Sequence, residues 1–263
     1  MRSVIGLALL AASLPAAAVA QDPPLPAGSS VSEIADVPFG LGERLDYRVK
    51  FGPLNVGEAF MEVEGLDSIA GHPTYHLRFH IRGGTFFYKL DDKQDSWLDV
   101  FLLATRRYEQ DSKQGSYERQ RQYLFDLEAG IRTRHDGESA PIPSDALDEA
   151  AFIYFVRTVP LEVGERYEWN RYYRADRNPV ILEVLRRETV KVPAGEFETI
   201  VVRPIIKTRG IFSEGGEAEV YITDDERRIP VRLNSKMKVG SVTLELTGHR
   251  EGERLTPDML GVR

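Results

Sequence analysis

The sequence predicts a mainly β protein: antiparallel strands form a barrel-like or curved sheet of two halves, with one long helix between the halves. Three observations predict it. Apolar and polar residues alternate with period two over most of the chain after residue 38. One segment, 144–158, carries helical spacing instead. A ten-residue stretch at the start of the strand-rich region returns in its middle. Alternation interrupted by turn residues marks antiparallel strands with one buried face.

The elements follow in chain order. Met1-Arg2 is a short positive start, Val4 to Ala12 is apolar or small, and Ala18-Val19-Ala20 is an A-x-A cleavage signature. This predicts a signal peptide over 1–20 and a mature chain starting at Gln21. The apolar part is too short for ~30 Å of hydrocarbon, and Pro15 interrupts it. Residues 21–37 are rich in Pro and Ser and are expected to form a tether. The first β half spans 38–135. In it Leu45, Tyr47, Val49 and Phe51 alternate with charged residues, Gly52-Pro53 breaks the run, and Ala59, Met61 and Val63 continue it. Gly71-His72-Pro73 punctuates, and Tyr75, Leu77, Phe79 and Ile81 follow.

A connecting segment, 136–159, holds the helix. Ser144-Asp145 after Pro143 supplies a cap. Leu147, Ala150, Ala151, Tyr154, Phe155 and Thr158 recur at helical spacing, and Pro160 stops the helix. The second β half spans 160–250, with strands around 165–174, 180–191, 196–208, 217–223, 229–238 and 241–249. Residues 251–263 form a C-terminal tail.

Composition excludes several functions. The chain has 263 residues, no cysteine and a formal net charge of -7. Without cysteine there is no lipobox, disulfide, zinc-thiolate site or thiol chemistry. Loss of Arg2 with the signal peptide leaves 33 basic against 41 acidic residues, a net of -8. That balance argues against nucleic acid and against nonspecific docking on anionic headgroups. No later segment is apolar enough to span a bilayer as a helix.

Residues 38–47 read PFGLGERLDY and residues 160–169 read PLEVGERYEW, with Pro, Gly, Glu and Arg identical in register. The echo continues: Arg82-Gly83 leads to Phe86-Phe87 as Arg209-Gly210 leads to Phe212, and Arg106-Arg107-Tyr108 is matched by Arg227-Arg228-Ile229. Matches in constant order indicate a duplication, and two copies are too few for a solenoid.

The same residues resemble a known family. PFxxGExLxY, the GxA of Gly57-Glu58-Ala59, Tyr-x-Leu before a strand and Ser96-Trp97-Leu98-Asp99 carry the likeness. So do residues 157–165, Val192-Pro193-Ala194-Gly195-Glu196-Phe197, Tyr221 to Asp225, and Arg228-Ile229-Pro230-Val231. Over about 38–248 the chain resembles the domain of unknown function family numbered 3108. The resemblance implies an exported, mainly β bacterial protein of the periplasm, and it supplies no functional residues to carry over.

The search for chemistry finds no catalytic motif. His72, His76 and His80 have metal-like spacing, but on a strand residues four apart stand ~13 Å apart at ~3.3 Å per residue. A shared metal needs both nitrogens at ~2.1 Å from it. No metal and no cofactor is therefore expected. There is no G-x-S-x-G elbow. Carboxylates cluster at Asp91, Asp92, Asp95 and Asp99, and again at Asp224, Asp225 and Glu226, where turn chemistry also accounts for them.

Two features suit binding. Phe86, Phe87 and Tyr88, beside Gly83-Gly84 and echoed by Phe212, form either a hydrophobic lip or an ordinary buried hairpin. Along 117–127, Tyr117, Arg119, Arg121 and Tyr123 share one face with Phe125 and Leu127. That face either lines an amphiphile-binding cavity or lies outside, with arginine stems covering apolar surface.

Three functions remain. The first is a non-enzymatic envelope protein that binds a lipid or hydrophobic small molecule in its curved sheet. The second is an interaction or scaffold protein of envelope assembly, with another envelope protein as partner. The third is a hydrolase using Asp91, Asp95 or Asp99.

Overall fold

A computed structural model describes residues 33–85, 88–206, 217–236 and 240–260. The strands of the first half are β1 (Arg44–Phe51), β2 (Leu54–Ile69), β3 (His72–Thr85), β4 (Tyr88–Asp99), β5 (Thr105–Gln114), β6 (Tyr117–Asp126), β7 (Ile131–Arg134) and β8 (Ser139–Pro141). Those of the second are β9 (Arg166–Trp169), β10 (Val180–Val192), β11 (Gly195–Ile205), β12 (Glu217–Thr223), β13 (Pro230–Lys236) and β14 (Ser241–Arg250). All fourteen belong to one curved, unclosed antiparallel sheet. Its order is a meander from β8 back to β1, then β14 back to β9, so the first and last strands pair in the middle. The edges are β8 and β9.

Period-two alternation produces these strands as expected. In β1, Leu45, Tyr47 and Val49 are buried between half-exposed charged neighbours. The expected strands of the second half recur within a few residues except the first, which stops at Trp169 rather than 174. There the chain turns inward. Leu147 N donates to Arg171 O (2.6 Å), and Tyr173 N donates to Leu147 O (3.1 Å). Tyr172 and Tyr173 are thereby spent on the core rather than on a ladder.

The helix, α1 (Glu149–Val156), is shorter than the expected 144–158. Its cap is Asp148, not Ser144-Asp145: Asp148 Oδ1 accepts from Ala150 N (2.8 Å) and Ala151 N (3.0 Å). The residues before it are held in a turn, with Arg171 donating to Asp145 O (2.9 Å). The carboxyl of Asp148 also accepts from Ser96 (2.5 Å) and Thr105 (2.8 Å), so the cap anchors α1 to β4 and β5. Burial pushes the Asp148 carboxyl up to about 6, against these hydrogen bonds.

At the other end of α1, Arg157 is wholly buried and bidentate to Glu43 (2.6 and 2.8 Å). Its guanidinium also donates to Arg227 O (3.0 Å) and Pro38 O (3.4 Å). One side chain thus ties the helix to both halves of the sheet. Phe39, Tyr75 and Tyr154 pack edge-to-face around it.

The chain outside the strands is less free than a tether and tail imply. Val37 is buried, Ala35 N donates to Val100 O (3.0 Å), and Leu41 and Glu253 exchange both backbone hydrogen bonds (2.7 and 2.9 Å). The expected signal peptide and most of the tether, through residue 32, lie outside the described residues.

Candidate functional site

Strand β6 decides which way the shared face of 117–127 points. Tyr123, Phe125 and Leu127 are buried on the concave side, so that face is the inner one. Arg121 follows at the edge of the core, half-buried, and Arg119 and Tyr117 continue into the open. Tyr117 is 46% exposed, with the Arg119 guanidinium 5.0 Å from its ring centre. The face is a ramp from a packed base to an exposed rim. Of the residues expected to form a site, Arg121 and Tyr123 therefore come together, and Tyr117 and Arg119 extend the same wall outward. Phe86, Phe87 and Phe212 lie outside the described residues, and of Tyr88 only the backbone is described.

Tyr173 is the hub of this wall. It comes from the segment after β9, where Asn178 clamps Tyr172 through both backbone groups (3.0 and 3.1 Å). Its ring meets Tyr108, Tyr123 and Phe125 at 5.6 to 6.1 Å. Glu149, the first residue of α1, accepts from Tyr172 Oη (2.7 Å) and Tyr173 Oη (3.4 Å), and Arg121 stands 3.9 Å from the same oxygen. Burial, reinforced by Glu149, pushes both tyrosine hydroxyls far above their ordinary range. Burial pulls Arg121 down, but Tyr173 and Glu149 outweigh it and leave the guanidinium more basic than usual.

Two other inner surfaces complete the cup. On β4 and β5 the buried carboxylate of Asp92 accepts from the amides of Gln94 (3.0 Å) and Gln110 (3.1 Å), with Gln114 at 3.5 Å. Across the concavity, Val56, Phe79, Leu90, Leu233 and Val242 pack against the core but remain partly exposed. The inner wall is therefore polar and cationic along β5, β6 and β4 from Asp92 onward, and apolar along β2, β3, β13, β14 and at Leu90 near the start of β4. Sequence reasoning missed Arg132, Arg174, Glu149 and Tyr173 as site residues. Arg132 and Arg134 alternate with Ile131 and Thr133 in β7, yet here the arginines face in. The Arg132 guanidinium lies 4.9 Å from the Tyr123 ring centre and 5.6 Å from that of Tyr173.

His72, His76 and His80 and the aspartates suspected of hydrolysis lie on the outer face. His76 pairs with Asp95 (2.8 Å), His80 with Asp91 (2.7 Å), and His72 stands 3.9 Å from Asp99. Asp95 also binds Arg78 (2.8 Å); despite burial, His76 and Arg78 hold its carboxyl down at about 2. Asp99 is spent on the β4–β5 turn and on Arg106. Successive members of the series are four residues apart on one strand, ~13 Å, beyond the ~5–9.5 Å of a glycosidase pair. The same face carries a depression of about 430 Å³ bordered by Arg44, Arg48, Phe60, His80 and Arg82. Among the described residues no helix is long and apolar enough to cross a membrane.

Comparison with known proteins bears on the fold. The family described as "Protein of unknown function (DUF3108)" matches residues 46–247. Among solved structures, the chain is similar to a β-barrel-like protein of the domain of unknown function DUF1849 from Brucella abortus. That match has a TM-score of 0.52 and 10% identity, and covers 83% of this chain and 100% of that one. A candidate exported protein with a YmcC-like fold from Bacteroides fragilis matches with TM-score 0.31, 11% identity and the same coverages, 83% and 100%. A candidate lipoprotein from Parabacteroides distasonis matches with TM-score 0.37, 11% identity and again 83% and 100% coverage. The likeness to the Brucella abortus protein is one of fold. No relative is found among curated proteins.

Proposed function

The chain belongs to the DUF3108 family, whose description assigns no activity, and from the geometry of the cup we propose a non-enzymatic envelope protein that binds an amphiphilic ligand inside its curved sheet. The observation that carries this reading is the division of the inner wall. Val56, Phe79, Leu90, Leu233 and Val242 offer a partly exposed apolar surface. Arg121, Glu149 and the glutamines around Asp92 offer a polar one. An alkyl chain gains by covering the first, at ~25 cal/mol per Å² removed from water. A head group meets the second. The N-terminal pattern of Met1-Arg2, an apolar run and Ala18-Val19-Ala20 supports export to the periplasm.

Native mass spectrometry of the protein purified from its own periplasm tests the reading. The expected result is a discrete adduct released by organic solvent; a ligand-free mass from several growth conditions would sink it.

A second reading, an interaction protein of envelope assembly, is favoured by the β8 edge. Strand β8 has one neighbour, and beside it Leu124 (56%) and Ile131 (41%) are exposed on the outer face. Unpaired edges recruit partner strands. Photo-crosslinking from position 139 in cells would recover one partner if this reading holds, and only scattered products if it does not.

A further inference from the structure

Arginine is matched nearly everywhere in this acidic protein. Arg78 holds Asp95 (2.8 Å), Arg106 holds Asp99 (2.9 Å), and Arg186 holds Glu219 (3.0 Å). Four of the exceptions share one wall, while a fifth, Arg228, stands apart in the turn before β13. Arg121 has Glu149 at 3.9 Å, too far for a hydrogen bond. Among the described residues no carboxylate lies within ion-pair distance of Arg119, Arg132 or Arg174. What holds them instead is aromatic. The Arg132 guanidinium lies over Tyr123 and Tyr173, that of Arg174 is 6.0 Å from the Tyr173 ring centre, and that of Arg119 lies over Tyr117. The Nε of Arg132 is a buried donor with no acceptor.

Four guanidinium groups thus share the inner wall with two carboxylates, of which Glu149 is the nearer. That carboxylate is already engaged by Tyr172 and Tyr173. Asp92, on the same wall, is held by glutamine amides. Like charges brought together without partners repel, and the arrangement is relieved when an anion enters. Guanidinium groups held by ring faces keep their N–H edges free for oxyanions, which they bind in bidentate fashion. A carboxylate is satisfied by one such fork. Three or four forks, with a surplus of about two charges after Glu149 and Asp92 are counted, suit a phosphate.

We propose that Arg121, Arg132 and Arg174, gathered around Tyr173, with Arg119 at the rim beside Tyr117, form a phosphate-binding site, and that the cup's ligand carries a phosphate-bearing head. This rests on the amphiphile reading for the chain portion only. The shared chemistry is the phosphate group, whether it arrives on a lipid or free.

The test uses the mature protein and four probes: a single-chain lysophospholipid with a phosphoglycerol head, the same chain on phosphocholine, the same chain on maltoside, and inorganic phosphate alone. Calorimetry is run at two salt concentrations, for wild type and for Arg121→Gln/Arg132→Gln/Arg174→Gln. The phosphoglycerol lipid is expected to bind wild type about tenfold more tightly than the maltoside. That margin shrinks with salt and is lost in the triple variant. Arg132→Lys/Arg174→Lys, which keeps the charge, retains much of the margin and guards against misfolding in the Gln variant.

Equal binding of all three lipids overturns the phosphate site and leaves the amphiphile reading standing. Binding of inorganic phosphate as tight as that of the phosphoglycerol lipid supports the site and overturns the amphiphile reading. Binding of no probe overturns the phosphate site.

Discussion

Two buried charged residues at the ends of one short helix carry much of the stability argument, and they behave in opposite ways. Asp148 is a wholly buried cap whose carboxyl is pushed up to about 6 from 3.8. A carboxyl raised in the folded state binds its proton more tightly there than in the unfolded chain. Its contribution is therefore full below pH 3.8 and is lost as pH rises through about 6. The shift is worth ~3 kcal/mol. Asp148→Asn keeps an acceptor for Ala150 N and Ala151 N but cannot titrate. Its stability relative to wild type is expected to fall by ~2 kcal/mol as pH drops from 7 to 4, read from urea midpoints. A pH-independent difference would contradict the assignment. Asp95, held at about 2, acts the other way, and its contribution is lost only below pH 3.8. Arg157 is paired as well as buried. Arg157→Ala leaves Glu43 charged and unpaired in the core, at a cost of ~3–5 kcal/mol. Arg157→Met with Glu43→Leu should recover part of that loss and not all. Pro38 O and Arg227 O lose their donor in both variants, and an orphaned buried acceptor costs ~1–3 kcal/mol. Full recovery in urea unfolding would mean that those two carbonyls find other partners.

At the scale of elements, strands were legible where hydrophobic burial alone sets the pattern, and obscure where something else does. Alternation located β1, β3 and β10–β14 because one face of each is packed. In β7 Ile131 and Thr133 look outward and the arginines look in to meet aromatic rings. In β6 the shared face was legible, but its direction was not: three buried residues and two exposed ones lie on the same side. The helix cap was misread because Ser144 and Asp145 follow a proline and mimic a start, whereas the backbone there is held by Arg171. Gly57, read as part of a hairpin signature, has a different purpose. It pairs with Gly83 across β2 and β3, and a Cβ at 57 would stand 2.1 Å from Arg82 O. One at 83 would stand 2.3 Å from Val56 O. Both clashes are with backbone, so no side chain can swing aside. Gly57→Ala and Gly83→Ala are each expected to cost ~1–3 kcal/mol or more. A cost below ~0.5 kcal/mol would mean that the two strands separate freely.

The whole molecule is organised around the meeting of its two chain ends. Because the halves run as meanders in the same sense, β14 comes to lie beside β1, and the sheet is continuous where the chain is not. Two turns, one in each half, share a hydrogen-bonding pattern. Asp99 Oδ1 accepts from the second and third following amides (2.9 and 3.0 Å), and Asp225 Oδ1 does the same (3.1 and 3.3 Å). Each turn also gives a carbonyl to a buried arginine, Leu103 O to Arg171 and Arg227 O to Arg157. A sheet joined in this way depends on the segments flanking β1 and β14 being held together, and the exchange between Leu41 and Glu253 does that. Residues that exchange both backbone hydrogen bonds in an antiparallel pair have Cα atoms ~5.5 Å apart, within disulfide range. The chain has no cysteine to compete. Leu41→Cys with Glu253→Cys should therefore crosslink on export and close a loop of more than two hundred residues, worth ~2–4 kcal/mol. The comparison that isolates this is the same variant oxidised and reduced, since the cost of removing Leu41 from the core margin is common to both. A higher midpoint in the oxidised form is expected. Equal midpoints, with the bond shown by mass to have formed, would mean that the sheet holds its halves together without its chain ends.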